Sequence, residues 1–452
     1  MGQRSNILAK NIEMVGYDDL NKKPGFQLAL YRRGEKYYLY TASFRHNGMN
    51  IVEVTDPTHP RNVRWWGGPW VSDDVRDGQS LPKLQIGDDY LITAHGGTMD
   101  ILHGTPKGNT LPFWGGIMIW SLKEDPENPK FLGKFQCKGN GGVHRFCYPG
   151  GDYVYVVGNC EGFNNFILRI VDISDPSNPV EVAKWYDDSQ FALNKAGGGE
   201  LVFGSAEFLH SPLLHACTYK DDVLYMAYAN RGMVMLDVSD KHLPKLIGEI
   251  AINPLMGGGA GGAPTHTAYP LGDRPYVVVT TEGERSRYFS NEVTEGPFRK
   301  IVTQPMQMIG LVEVTDPTDP SLVSICPYPE VPDGYTHGDN FNIVDGVRVP
   351  FGPHNCFDYL APSQYQKYDN LIFNCYFQAG LRVYDVSDPY VPKEVAYFMP
   401  PDPQGENWFD NEEGNLLPGA QVAITEDIVI DDRGYIYITT FQDGMYVLKC
   451  TL

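Results

Sequence analysis

The sequence predicts an all-β protein: a seven-bladed β-propeller, its seventh blade closed by the N-terminal strand, in a single domain over residues 1–452. Three observations predict it. A strand-and-turn phrase recurs along the chain, two further strand patterns precede each phrase, and a truncated copy near residue 444 lacks a strand that a segment near residue 7 supplies.

The phrase reads IVEVTDPTHP from Ile51, IWSLKEDPENP from Ile119, IVDISDPSNP from Ile170, MLDVSDKHLP from Met235, LVEVTDPTDP from Leu311 and VYDVSDPYVP from Val383. Its alternating, β-branched half is a strand. Asp caps the turn with its side chain and Pro fixes φ there. An apolar return strand follows, such as KLIGEIAI or KEVAYFMP. The fourth repeat displays the preceding pair best: HACTY from His215, a Lys220–Asp222 turn, then VLYMAYA from Val223. Each unit is therefore four antiparallel strands, A to D. GMYVLKC from Gly444 is the seventh copy, and ILAKNIEMVGY from Ile7 supplies its D strand, which leaves the ring no open edge.

The phrase resembles the LVIVD-repeat family of β-propellers. The resemblance extends over nearly the whole chain and implies the fold, not an activity.

Composition narrows the function. A formal net charge of −20 argues against a nucleic-acid partner and against an anionic membrane surface. Neither a signal peptide nor a membrane span is evident. The eight cysteines lack zinc-finger spacing and read as buried thiols of a cytoplasmic protein. P-loop, HExxH and GxSxG motifs are missing and no GxGxxG follows a strand, which disfavours nucleotide and serine-triad enzymes. Oligomeric state is not encoded legibly.

The long connections (96–115, 187–212, 253–264, 283–307, 330–353 and 400–421) all fall between strands D and A or B and C. They therefore belong to one face of the ring, where loops on a rigid scaffold carry function. The start of strand A, whose side chains can point at the axis, carries His144, His215, His266 and His354 in blades three to six. Blade seven has Glu426 or Asp427 there, blade one Gln27 and blade two Lys83. Only 11 residues are His, so four at one register mark a metal centre, since neutral imidazole is the commonest ligand for Zn, Cu, Fe and Ni. The competing reading is a water-filled channel lined by hydrogen-bonded histidines.

B-strand ends on the same face offer Glu161, Glu282, His95, Asn230 and Gln378. Glu161 and Glu282 are expected behind the imidazoles, orienting them. Asp427 is a further candidate base, and Gln27, His95, Arg231 and Gln378 are candidate substrate contacts. His210 and His337 read as surface residues of the long loops. The arrangement is similar to that of carotenoid-cleavage oxygenases, propellers that hold non-haem iron on four His with Glu behind some of them. It is also similar to oligogalacturonate lyases, which hold Mn with His and Gln, a pattern Gln27 would suit.

The preferred expectation is an enzyme with a divalent metal ion, Fe(II) favoured and Mn or Zn as alternatives, oxidising an apolar or aromatic small-molecule substrate. Phe113, Trp114, Phe191, Phe203, Phe208, Met256, Phe289, Tyr335, Trp408 and Phe409 in the loops suggest that substrate. A Mn or Zn lyase or hydrolase is the second reading, for which Arg45, Lys83, Arg145 and Arg231 could meet an acidic sugar. A non-enzymatic, protein-binding propeller is the third.

Overall fold

The computed structural model describes residues 6–23, 25–43, 48–67, 78–97, 111–139, 141–192, 212–252, 265–282, 307–341, 343–344, 347–348, 351–357, 365–403, 422–441 and 443–452. Among them the chain forms a seven-bladed propeller with no α-helix. Blades one to five are antiparallel four-stranded sheets in chain order. Blade one is Leu28–Arg33, Lys36–Ser43, Gly48–Glu53 and Arg61–Gly67; blade two is Gln79–Gly87, Tyr90–Gly97, Gly116–Ser121 and Lys130–Gln136. Blade three is Val143–Cys147, Tyr153–Gly158, Ile167–Asp172 and Val180–Trp185. Blade four is Ala216–Lys220, Val223–Tyr228, Gly232–Asp237 and Lys245–Ile250, and blade five Thr267–Pro270, Tyr276–Thr280, Ile309–Glu313 and Ser321–Ile325.

The seventh blade (Thr425–Ile430, Tyr435–Thr440, Gly444–Cys450) is completed by Ile12–Asp18, paired from Ile12 opposite Cys450 to Asp18 opposite Met445. The single closing strand expected from Ile7 is in fact two. Leu8–Lys10 pairs instead with Lys393–Met399, the outermost strand of blade six, and Asn11 turns the chain between blades with φ 55° and a hydrogen bond from its Nδ2 to Val395 O. A clasp thus ties blade six to blade seven. Blade six otherwise comprises Leu371–Cys375, Leu381–Asp385 and Lys393–Met399, with residues 354–357 as its inner edge, His354 N donating to Cys375 O and Phe357 N to Phe373 O.

In all six Asp turns the carboxylate accepts the backbone N–H two residues on, from Asp56 to Asp388, which is the local reason the phrase repeats. The core lies between blades, where apolar faces of neighbours meet, as with Tyr40, Ile51, Leu84 and Met118 between blades one and two. The turns also register the blades. Gly16, Gly133 and Gly248 sit at bulges in outer strands where the next blade's Pro57, Pro176 and Pro317 carbonyls come so close that a Cβ would meet them at 2.1–2.2 Å. In blade five Ser324 stands at this joint and donates to Pro389 O.

No helix is long and apolar enough to cross a membrane among the described residues. All eight cysteines are free thiols, six of them buried.

Candidate functional site

Inner strands of neighbouring blades touch around the axis, and their first residues face one another there. His215, His266 and His354 each extend the A–B ladder by one residue, through N–H bonds to Ala227, Thr280 and Cys375 carbonyls. His144 and the Glu426–Asp427 pair lie at bulges, which turn side chains out of the strand's alternation. The imidazoles of blades three to six form an arc, with ring centroids 4.7, 4.2 and 4.7 Å apart in chain order. The compact set is narrower than four His: donor atoms of His215, His266 and Glu282 lie within 4.8 Å of one another.

Hydrogen bonds fix the tautomers. His215 Nδ1 donates to His266 O at 2.9 Å, and His354 Nδ1 donates to Glu426 O at 2.9 Å. Arg145 Nη2 lies 3.0 Å from His266 Nε2, and a guanidinium only donates, so His266 carries its proton on Nδ1, 2.7 Å from Thr267 Oγ1. All three therefore turn an Nε2 lone pair inward. His144 Nε2, 3.0 Å from His215 Nε2, must then be the donor of that pair. Burial, with the Arg145 charge and, for His215 and His266, a neighbouring imidazole, holds His215, His266 and His354 well below the ordinary imidazole value, so they are neutral.

Glu282 corrects its expected role. It does not sit behind the rings. Its Oε1 is 3.8 Å from both His266 Nε2 and His354 Nε2, on the side of the lone pairs, while backbone carbonyls and Thr267 do the orienting. Two neutral imidazoles and a carboxylate match the donor set of non-haem Fe(II) centres. At His266 an ion and the Arg145 hydrogen bond exclude each other, because both need the same lone pair.

Around this set the axis carries buried charged groups and aromatic rings. Lys83 is buried with its Nζ 3.8 Å from the Phe26 ring centroid, and burial pushes its ammonium far below the ordinary value. Burial pushes the Asp427 carboxyl up. Phe377 stacks on His354 at 4.6 Å and Phe166 on His144 at 5.6 Å. Arg145, whose Nη2 also donates to Asn355 Oδ1, and Asn355, whose Nδ2 donates to Glu426 O, complete the network. A cavity lined by Gln27, Gln85, Arg145, Thr267, Asn355 and Asp427 adjoins it along the axis. Asn355 could have been found from sequence, because it follows an axial His one residue on, as Arg145 and Thr267 do.

The other named residues lie elsewhere or act structurally. Glu161 is exposed, because blade three's second strand ends at Gly158 and a turn, Phe163 N to Cys160 O, carries Glu161 outward. Arg231 is bonded to Asp187 and Glu249 over Trp185, away from the arc. His95 is a core imidazole between Gln79 and Thr93, against Trp114. Gln27 Oε1 accepts from Leu84 N and Asp427 Oδ2 from Leu28 N, so both tie neighbouring inner strands together while lining the cavity. Gln378 opens into a separate cavity with His337. The side chain of Asn230, and Arg45, Phe203, Phe208, His210, Met256, Phe289, Trp408 and Phe409, lie outside the described residues.

A propeller scaffold with a histidine and carboxylate cluster on its axis is the class that fold and site define. The chain carries LVIVD repeats: that family model matches residues 150–187 and 220–251. Among solved structures the chain is similar to the Cps50 (Swd1) β-propeller domain of Myceliophteria thermophila, at 10% identity and TM-score 0.54, over 97% of this chain and 99% of that one. It is also similar to a hypothetical selenium-binding protein from Sulfolobus tokodaii, at 12% identity and TM-score 0.50, over 97% and 90%. At such identities the likeness is of fold alone. No curated protein matches the sequence.

Proposed function

We propose that the protein is a metal-dependent enzyme, a non-haem Fe(II) oxygenase acting on an apolar or aromatic small molecule. The observation that carries this reading is the convergence of His215, His266 and Glu282, with inward Nε2 lone pairs on both imidazoles. In the proposal these three hold the ion, which when bound supplies the site for dioxygen chemistry. His144 and His354 flank it. The His144 Nε2–H bond to His215 Nε2, at 3.0 Å, uses the lone pair an ion would take and gives way to the ion as the Arg145 bond to His266 does, while His354 Nε2 stands 3.8 Å from Glu282 Oε1 with its lone pair facing the same point. Arg145 keeps the His266 lone pair occupied until an ion replaces it, and its fixed positive charge balances Glu282. The Phe26, Phe166 and Phe377 rings exclude water from the imidazoles and give an apolar molecule a surface to lie on.

The test is elemental analysis of protein purified without added metal, and again after anaerobic incubation with Fe(II), Mn(II) or Zn(II). One ion per chain is expected, lost at least about tenfold in affinity in Glu282→Gln and absent in His266→Ala. Oxygen uptake by the Fe(II) form separates an oxygenase from a Mn or Zn lyase or hydrolase. Failure to retain any of the three ions would overturn the proposal and leave the axial histidines as a hydrogen-bonded channel lining.

A further inference from the structure

Beside blade six lies a second cavity that the axial centre does not use. Leu8, Gly334 to His337, Gln378, Met399, Asp402, Val422 and Ala423 line it, and it holds about 370 Å³ of open space including its mouth. The Gln378 side chain lines it while only 3% exposed, and neither its amide nitrogen nor its carbonyl oxygen has a hydrogen-bond partner. Buried amides with all their hydrogen bonds unmade are rare because they are destabilising. No described residue of the chain meets either end of this one.

The turn that places it is strained. Phe377 has φ 47°, a left-handed conformation costly for a bulky residue, and Gly380 follows at φ 80°. That backbone sends consecutive side chains opposite ways: Phe377 onto His354 at the axis, Gln378 into the side cavity. Across the cavity, His337 Nε2 lies 3.0 Å from both Asp402 oxygens, and the Tyr335 ring stands edge-on to His337 at 5.6 Å. Leu8, Met399 and Val422 supply apolar wall.

We propose that this cavity binds a small, planar, uncharged molecule whose rim carries an N–H donor beside a carbonyl acceptor, the lactam edge of pyrimidine and purine oxo-bases. A donor and an acceptor side by side on one ligand meet both ends of one carboxamide at once. The aromatic and apolar walls suit a flat ring. The Asp402 carboxylate, one-third exposed at the cavity, repels anionic competitors such as carboxylates and phosphates. The site is independent of any metal at the axis.

The experiment is calorimetric titration of the full chain with uracil and hypoxanthine, with 1,3-dimethyluracil and orotate as controls. Saturable binding of at least one oxo-base is expected, weakened at least tenfold by methylating the ring nitrogens of uracil or by the anionic charge of orotate. Gln378→Met should lose binding at least tenfold while melting at or above the wild-type temperature, since an apolar side chain of similar shape removes the unmet amide. His337→Ala, a loop substitution, should weaken binding at least threefold and serves if Gln378→Met does not fold. His266→Ala should bind as wild type does, which separates this site from the axial centre. No saturable binding of either base, or undiminished binding in folded Gln378→Met, overturns the proposal.

Discussion

Replacing His95 with phenylalanine should change how stability depends on pH, and the size of the change follows from where the ring sits. The Gln79 amide nitrogen lies 3.0 Å from Nδ1 and Thr93 Oγ1 2.8 Å from Nε2, so a neutral ring with its proton on Nε2 satisfies both. Trp120 Nε1 donates to the same Thr93 oxygen. Burial lowers the imidazole pKa from 6.5 to about 3. The unfolded chain takes up a proton below pH 6.5 that the folded protein refuses, so stability is full above 6.5 and falls as pH drops towards 3, by about 1.4 kcal/mol per unit. Between pH 6.5 and 5.0 this one ring removes about 2 kcal/mol. Phenylalanine fills the space beside Trp114 but removes the hydrogen bonds to Gln79 and Thr93, at a cost of about 1–3 kcal/mol that does not vary with pH. The variant should therefore be about 2 kcal/mol less stable at pH 7.5 and nearly equal to wild type at pH 5.0. Urea unfolding followed by tryptophan fluorescence at several pH values measures the difference. A deficit that stays constant from pH 7.5 to 5.0 would mean that the ring titrates normally, and the assignment of His95 to the core would be wrong.

Other outcomes follow from the blade joints and the core. Gly248→Ala places a Cβ 2.1 Å from Pro317 O and should destabilise by about 1–3 kcal/mol, read as a lower urea midpoint with an unchanged m-value. Asp427→Ala strands the Leu28 N–H between blades seven and one, and should cost about 1–3 kcal/mol. Burial pushes the Cys137 and Cys217 thiols up to about 12, so a thiol reagent should modify at most Cys160 and Cys450 in the native protein at pH 8, and all eight in urea.

The blades were legible because their signal is local: alternation gives the strand, and Asp followed by Pro gives the turn. The axial register was legible for the same reason, since His144, His215, His266 and His354 all stand at the start of a short apolar run. What sequence reasoning could not see was turn geometry at the other strand ends. Glu161 and Glu282 both precede a glycine after a B strand. Asn159 in blade three folds back to accept the Gly141 and Gly142 N–H groups, and Glu161 swings outward. Thr281 in blade five keeps the chain extended through its N–H bond to Met308 O, and Glu282 reaches the histidines. Gln378 went astray for a related reason, since nothing in FQAG announces a phenylalanine with positive φ. The paired strands in residues 8–18 were read as one because the pattern does not mark the pivot at Asn11.

That pivot bears on how the ring comes into being. Residues 8–18 emerge from the ribosome early, yet their hydrogen-bonding partners, 397–399 and 445–450, are made long afterwards. Until then two short strands with exposed edges must wait unpaired, and such edges invite pairing with other chains. Docking of residues 12–18 on blade seven closes the circle, and residues 8–10 then lock it to blade six. Closure joins segments remote in sequence, the slowest kind of contact to find, so it belongs late in folding. Crowded, unclosed chains are then the species from which strand-exchanged dimers would arise.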